Sequence, residues 1–380
     1  MASLNIPAVT LPPECEALRT KVRQFLKTAS KSWTTYTRAA SWMGYDAEFS
    51  RKLGQRGWIG MTWPKEVGGH ERSFLERYVV QEELLAAGAP VGAHWTADRQ
   101  SGPLLIRFGN ERMRKTIVPK IASGEVFFCI GLSEPDSGSD LASVRTRAER
   151  TPEGWRINGS KIWTSKGHKC QYMIALFRTG RSDTDRHAGL SQFLVNLRSP
   201  DIEIRPIYDL TGDHHFNEVF FNNTLLPEDS MIGAEGAGWN QAGTELAYER
   251  SGPERYLTSI ELLLQMLSAA SPRNERQVVA IGRAVAEART LRQMSLGVAG
   301  MLSRGEDPGV MAALVKELGT TFEQRIPVLA GDLFDIEAGD TGTDLGMALE
   351  TVMLRAPAFS LRGGTREILR GIIARGLGLR

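Results

Sequence analysis

The chain has 380 residues, room for two or three domains at about 150 residues each. With 42% hydrophobic and 24% charged residues it has the texture of an ordinary globular protein. Lys plus Arg number 46 and Asp plus Glu 44, and the resulting net charge of +2 argues against a nucleic-acid binder led by phosphate attraction and against a polybasic membrane anchor. Three cysteines, Cys15, Cys129 and Cys170, are odd in number and too widely spaced for a zinc pattern or a disulfide framework. The first residues carry no stretch of signal-peptide type, and no run of about 18 apolar residues occurs, so a cytoplasmic protein without membrane insertion is expected.

In chain order, PECEALRTKVRQFLKTA places Leu18, Val22, Phe25 and Leu26 on one helix face, and SFLERYVVQEELLAAGA is a second helical segment. RGWIGMTWPKEVGGH between them reads as a packed loop. Near residue 124 the period becomes strand-like. VFFCIGL is a short apolar run, and Asn158-Gly159 in GWRINGSKIWTS predicts a tight hairpin turn. YMIALFRT, SQFLVNL, IEIRPI and NEVFFNN follow at strand length, predicting an antiparallel β domain. After Gly238 helical texture returns, in ERYLTSIELLLQML, a long stretch from 274 to 304 and GVMAALVKELGTTFEQRI, with the turn RGEDPG at 304–309. The expected architecture is α+β: an N-terminal helical domain (1–123), a central antiparallel β domain (124–232) and a C-terminal helical bundle (233–380).

Generic motifs leave the chemistry open. A P-loop, a Rossmann glycine fingerprint, H-E-x-x-H and G-x-S-x-G are all missing. His214 and His215 are neighbours in a strand, so they point to opposite faces and cannot chelate one ion together; no metal site is expected.

The segment GLSEPDSGSDLASVRTRAERTPEGWRINGSKIWTSKGHKCQYMIALFRT resembles the acyl-CoA dehydrogenase family, as do GMTWPKEVGG, FNEVFFNNTLLPEDSMIG and GGTREILRGIIARGLGL, in the family's order. The resemblance implies FAD as cofactor and removal of two hydrogens from the α and β carbons of an acyl-CoA thioester. Leu132, Ser133 and Ser139 match the family's flavin-contacting loop. Trp163, Thr164 and Ser165 match the segment that lies against the isoalloxazine ring, and Thr365 and Glu367 match its C-terminal flavin contacts. The small residues of SEPDSGSD suit a loop whose N–H groups approach an anionic ligand. Ser139 and Arg250 are expected to meet the substrate. The resemblance also implies an electron-transferring flavoprotein as acceptor and an oligomer, a dimer or tetramer of this chain or a hetero-oligomer with a related one.

Two departures from the family pattern matter. Where many members carry the base as Glu in Glu-Gly-Thr, this chain has Gly363-Gly364-Thr365. Gly363 cannot take a proton but can donate its N–H to the thioester oxygen, and its missing side chain leaves room for a bulky or branched acyl group. A second group of the family, including isovaleryl-type and several steroid-degrading members, supplies Glu from another helix ahead of an Arg. Here that position resembles Glu249-Arg250, so Glu249 is the expected base, with Glu254 the weaker candidate. The family's Arg-x-x-Phe-Gly motif is also missing: LSAASPRNERQVV stands in its place, with a helix break expected at Pro272 and with Arg273 and Arg276 as candidate phosphate contacts. This pattern resembles the bacterial steroid-type branch, of which some members are heteromers sharing one flavin site. The alternatives are therefore such a partner subunit, or a relative with other flavin chemistry.

Overall fold

Helices α1 (Pro13–Ala29), α2 (Thr35–Ala39), α3 (Ala47–Gly54), α4 (Phe74–Ala86), α5 (Gly102–Phe108) and α6 (Val118–Ala122) precede the sheet. Its strands are β1 (Phe128–Gly131), β2 (Arg147–Thr151), β3 (Gly154–Lys161), β4 (Tyr172–Arg178), β5 (Leu190–Asn196), β6 (Ile202–Tyr208), β7 (His214–Leu226) and β8 (Met231–Ile232). Helices α7 (Gly238–Tyr248), α8 (Ile260–Ala269), α9 (Glu275–Ser303), α10 (Gly309–Phe334), α11 (Asp344–Phe359) and α12 (Arg366–Gly376) follow. This computed structural model describes residues 5–180, 184–248 and 250–379, with backbone alone for 244–248. The α+β order read from the sequence is the order found. The chain forms two compact units, one of residues 1–46, 72–92 and 249–380, the other of residues 47–71 and 93–248.

In the first unit, α1 starts where Pro13 sits at its first position with Glu14 and Glu16 in the first turn, the arrangement that suits a helix N-terminus. A capping box between Ser73 and Glu76 starts α4, each group bonding the other's backbone N–H. Charge joins these helices to α9. Arg19 of α1 is buried and donates to Glu82 at 2.8 Å and to Glu83, both on α4, while Arg292 of α9 donates to Glu82 at 2.6 Å. Burial raises the Glu82 carboxyl, but Arg292 and Arg19 outweigh it and hold it below its ordinary value. As Pro272 led one to expect, α8 ends at Ala269 and α9 begins at Glu275, with Asn274 accepting from the Gln277 N–H.

The second unit is built around the sheet, in the order β6-β7-β3-β2-β4-β5-β8, with β1 added on β4. Most pairings are antiparallel, but β1 runs parallel to β4 and β2 meets β4 in parallel, so the fully antiparallel expectation is corrected at these two places. Strands β4 and β5 are buried on both faces, which explains their unbroken apolar runs. Strand β6 is an edge, blunted by Glu203, Arg205 and Pro206. A second correction concerns Asn158-Gly159. Strand β3 runs straight through them, and the β2–β3 hairpin turns instead at Thr151–Gly154. The pairing of β3 with β7 shifts register between Ile157 and Gly159, a bulge that uses Gly159 at φ +138. A side chain at Gly159 would collide with Thr146, whose hydroxyl donates to the Ser160 carbonyl at 3.0 Å.

Candidate active site

In the second unit, two neighbouring segments carry the residues matched to flavin contacts. Leu132 and Ser133 follow β1, and Trp163, Thr164 and Ser165 follow β3. The Ile162 N–H donates to the Ser133 carbonyl at 3.0 Å, fastening one segment to the other. Beneath them lies Lys161, 0% exposed, whose ammonium donates to Glu134 Oε1 at 2.7 Å and to the Leu132 carbonyl at 3.2 Å. The Glu134 carboxylate also accepts from the Arg145 N–H at 2.6 Å and the Thr146 N–H at 3.0 Å. Burial pushes the Lys161 ammonium down to about 8, with Glu134 opposing the shift. Ser139 lies further along the same loop, exposed, after the tight turn in which Glu134 and Ser137 exchange backbone hydrogen bonds.

Trp163 is the most telling of these residues. It holds φ at +59, a conformation that costs a bulky residue of order 1–3 kcal/mol, and its side chain is 56% exposed. Phe216 supports the ring edge-on at 5.8 Å. Next to it Thr164 is fully buried, and its hydroxyl has no hydrogen-bond partner among the described residues. The Thr164 backbone is pinned by Asn217: its N–H donates to the Asn217 carbonyl at 3.0 Å and its carbonyl accepts from Asn217 Nδ2 at 2.9 Å. Asn217 Oδ1 in turn lies 3.1 Å from His168 Nδ1 and 2.7 Å from His214 Nε2, with the two imidazoles stacked at 3.7 Å. Burial first and His214 second push the His168 ring below its ordinary value. His214 is half-buried and His215 buried, at the place where the pairing of β6 with β7 shifts register.

The first unit carries the other residues. Gly363 and Gly364 hold φ of +70 and +102 in the turn between α11 and α12. Arg250, buried, donates from Nε to the Gly363 carbonyl at 3.1 Å. Lys316 of α10, also buried, donates to the Gly364 carbonyl at 2.6 Å. Thr365 precedes the first residue of α12 but its hydroxyl makes no capping bond, and Glu367 is exposed in the first turn. Glu249, the expected base, lies outside the described residues. Glu254, the weaker candidate, is fully buried, its carboxylate close to Gly252 and 3.5 Å from Arg255 Nε. Arg273 is exposed ahead of α9, and Arg276 lines an open groove of about 390 Å³ with Val279 and Arg283.

The family models for the acyl-CoA dehydrogenase N-terminal, middle and C-terminal domains match residues 12–125, 129–224 and 236–378. The acyl-CoA dehydrogenase IpdE1 of Mycobacterium tuberculosis is 35% identical over 87% of this chain and 87% of its own length. The chain belongs to the acyl-CoA dehydrogenase family. Among solved structures, the Tcur3481-Tcur3483 steroid ACAD superposes with a TM-score of 0.84 at 27% identity, over 98% of this chain and 99% of that one. The ChsE4-ChsE5 complex from Mycobacterium tuberculosis gives 0.84 at 25% identity, over 98% and 100%.

As a member of the acyl-CoA dehydrogenase family, the chain is an oxidoreductase acting on CH–CH donors, and the family implies FAD. The residues present fit that cofactor. A strained, exposed tryptophan and a buried hydroxyl without a hydrogen-bond partner among the described residues stand side by side after the end of β3, offering an aromatic face and a hydrogen bond to a flat, polar-edged ring. No helix among the described residues is long and apolar enough to cross a membrane, and no group of three or more His, Cys, Asp or Glu among them could hold a metal ion.

Motif reading alone missed the charges behind these segments. Lys161 and Glu134 sit inside K-I-W and S-E-P, but their burial was not inferred. Lys316 and Glu323 fall on the apolar stripe of α10, four and eleven residues after the buried Ala312. A charge in register with a buried face is the signal that could have found them.

Proposed function

We propose that this chain catalyses α,β-dehydrogenation of an acyl-CoA thioester, with Glu249 as the base and the Gly363 N–H as a donor to the thioester oxygen. The observation that carries this reading is the bond from Arg250 Nε to the Gly363 carbonyl. It ties the residue next to Glu249 to the turn that has lost the family's usual base. In this mechanism the Glu249 carboxylate takes the α-proton, while negative charge grows on the thioester oxygen. The Gly363 N–H meets that charge, a contribution made mainly in the transition state. FAD, when bound, supplies the acceptor that takes the β-hydrogen with its electron pair, so that a carbon–carbon double bond remains. Trp163 and Thr164 would hold it, with Leu132, Ser133, Ser139 and Ser165 around it.

The substrate class we propose is a bulky, steroid-type acyl-CoA. It is supported by the absence of a side chain at Gly363 and by the likeness to a steroid ACAD. An electron-transferring flavoprotein is the proposed acceptor, and residues 1–123, 124–232 and 233–380 are the proposed functional domains. A second reading, favoured by the missing Arg-x-x-Phe-Gly and by the likeness to the ChsE4-ChsE5 complex, makes this chain one subunit of a heteromer that shares FAD with a related chain.

The visible spectrum of the purified protein, with flavin counted per chain, tests both. One flavin per chain, bleached anaerobically by an acyl-CoA, supports a self-sufficient oligomer. Flavin acquired only on co-expression with a related chain supports the heteromer. A bound flavin that no acyl-CoA bleaches contradicts the dehydrogenase reading.

A further inference from the structure

The corner that follows β3 is strained at both ends. Trp163 holds φ at +59 and Lys166 at +54, with Thr164 and Ser165 between them. Left-handed conformations of this kind persist only where the neighbouring structure imposes them. Here the start of β7 does so. The Thr164 N–H donates to the Asn217 carbonyl at 3.0 Å, and the Lys166 N–H to the His215 carbonyl at 2.8 Å. The Asn217 side chain, fully buried, adds a bond from Nδ2 to the Thr164 carbonyl at 2.9 Å.

Asn217 therefore holds the peptide on each side of Thr164. The Trp163–Thr164 peptide is held through its N–H, and the Thr164–Ser165 peptide through its carbonyl. Because each peptide is planar, holding both fixes φ and ψ of Thr164, and with them the direction of its Cα–Cβ bond. The second peptide also carries the Ser165 N–H, which has no hydrogen-bond partner among the described residues. The Thr164 hydroxyl, buried, has none among them either. One residue thus aims two donors that the fold does not use.

The Thr164 carbonyl can only accept, so the amide nitrogen of Asn217 faces it and the amide oxygen faces two imidazoles. That oxygen lies 3.1 Å from His168 Nδ1 and 2.7 Å from His214 Nε2, so both ring nitrogens carry a proton and donate it. The stacked rings hold the amide against rotation. Among the described residues the Asn217 side chain bonds nothing else.

We propose that Asn217 is a positioning residue for the flavin, its amide fixed by His168 and His214 so that the Thr164 hydroxyl and the Ser165 N–H are presented together to the ring. This role rests on the reading of Trp163 and Thr164 as the residues that hold FAD.

The experiment uses the flavin-loaded protein, with its partner chain if one is required, and FAD as the probe. Asn217→Leu keeps the shape of the side chain and removes the amide. It should weaken binding of oxidised FAD about tenfold, since the corner must then be ordered on binding. Reduced FAD should lose about tenfold more, because hydrogen-bond donors stabilise the electron-rich ring more than the oxidised one. At saturating FAD that difference lowers the two-electron midpoint potential by about 30 mV, and the visible absorption of the bound flavin shifts with it. A purely structural loss reduces the amount of folded protein and leaves the potential of the bound flavin where it was. His168→Phe combined with His214→Phe, which keeps two rings but removes both N–H donors, should lower the potential in the same direction by a smaller amount. If Asn217→Leu does not fold, that double variant decides. A bound flavin of wild-type potential and spectrum in the deciding variant overturns the role of Asn217. Thr164→Val separates this failure from that of the flavin reading: weakened FAD binding there supports the reading, and wild-type FAD affinity overturns it and the role of Asn217 together.

Discussion

Lys161 donates to Glu134 at 2.7 Å in the interior of the second unit, and the same ammonium holds the carbonyl of Leu132. One buried cation therefore ties the end of β3 to the loop that follows β1, the two segments matched to flavin contacts. Lys161→Met should cost about 3–5 kcal/mol, because it leaves Glu134 buried without its countercharge. Lys161→Met combined with Glu134→Gln should recover most of that loss. Urea denaturation of Lys161→Met, Glu134→Gln and the double variant gives the coupling; an additive double variant would show that the pair does not act as a unit.

Thr164 gives a prediction of opposite sign for two properties. Its buried hydroxyl has no hydrogen-bond partner among the described residues, so Thr164→Val should leave the flavin-free protein as stable as wild type or more so, by up to about 1–3 kcal/mol. The same change should weaken flavin binding. Thermal denaturation with and without FAD, beside a flavin titration, separates the two. A variant less stable without flavin would mean that the hydroxyl serves the fold.

Acid stability follows from three buried groups. The carboxyls of Glu82 and Glu134 lie below their ordinary value of 4.5, because their cationic partners outweigh burial. Unfolded carboxyls take up protons first as pH falls, so the stability these two contribute is complete above 4.5 and is lost as pH falls through their folded values. His94, which pairs with Ser50 at 2.9 Å, is pushed by burial from 6.5 down to about 4. It stays neutral when folded while the unfolded ring protonates, so its stability is lost in the same direction, between 6.5 and 4. Denaturation free energy should decline from about pH 6.5 and more steeply below 4.5. His94→Gln should shrink the upper limb, leaving the part contributed by His168, and keep the lower one; an unchanged profile would contradict the assignment.

The helix–sheet–helix order was legible because its periods differ: Val22 and Leu26 recur at helical spacing, while the apolar runs of β4 and β5 have strand length. Asn158-Gly159 misled because the glycine conformation that serves a hairpin turn serves a bulge equally well, and only the pairing of β3 with β7 decides. The site motifs could be located, but not what sits behind them. Lys161, Lys316 and Arg362 donate to carbonyls and carboxylates between 27 and 108 residues away in the chain, and no local pattern records such pairings.

The central claim is that Glu249 removes the α-proton. It is tested most directly with Glu249→Gln, by following release of tritium or deuterium from the α-carbon of an acyl-CoA that the wild type dehydrogenates, alongside flavin bleaching and ligand binding. A loss of at least about 10²–10⁴-fold in both α-exchange and bleaching, with binding retained, is the predicted result. Exchange and bleaching at wild-type rates in Glu249→Gln would contradict it.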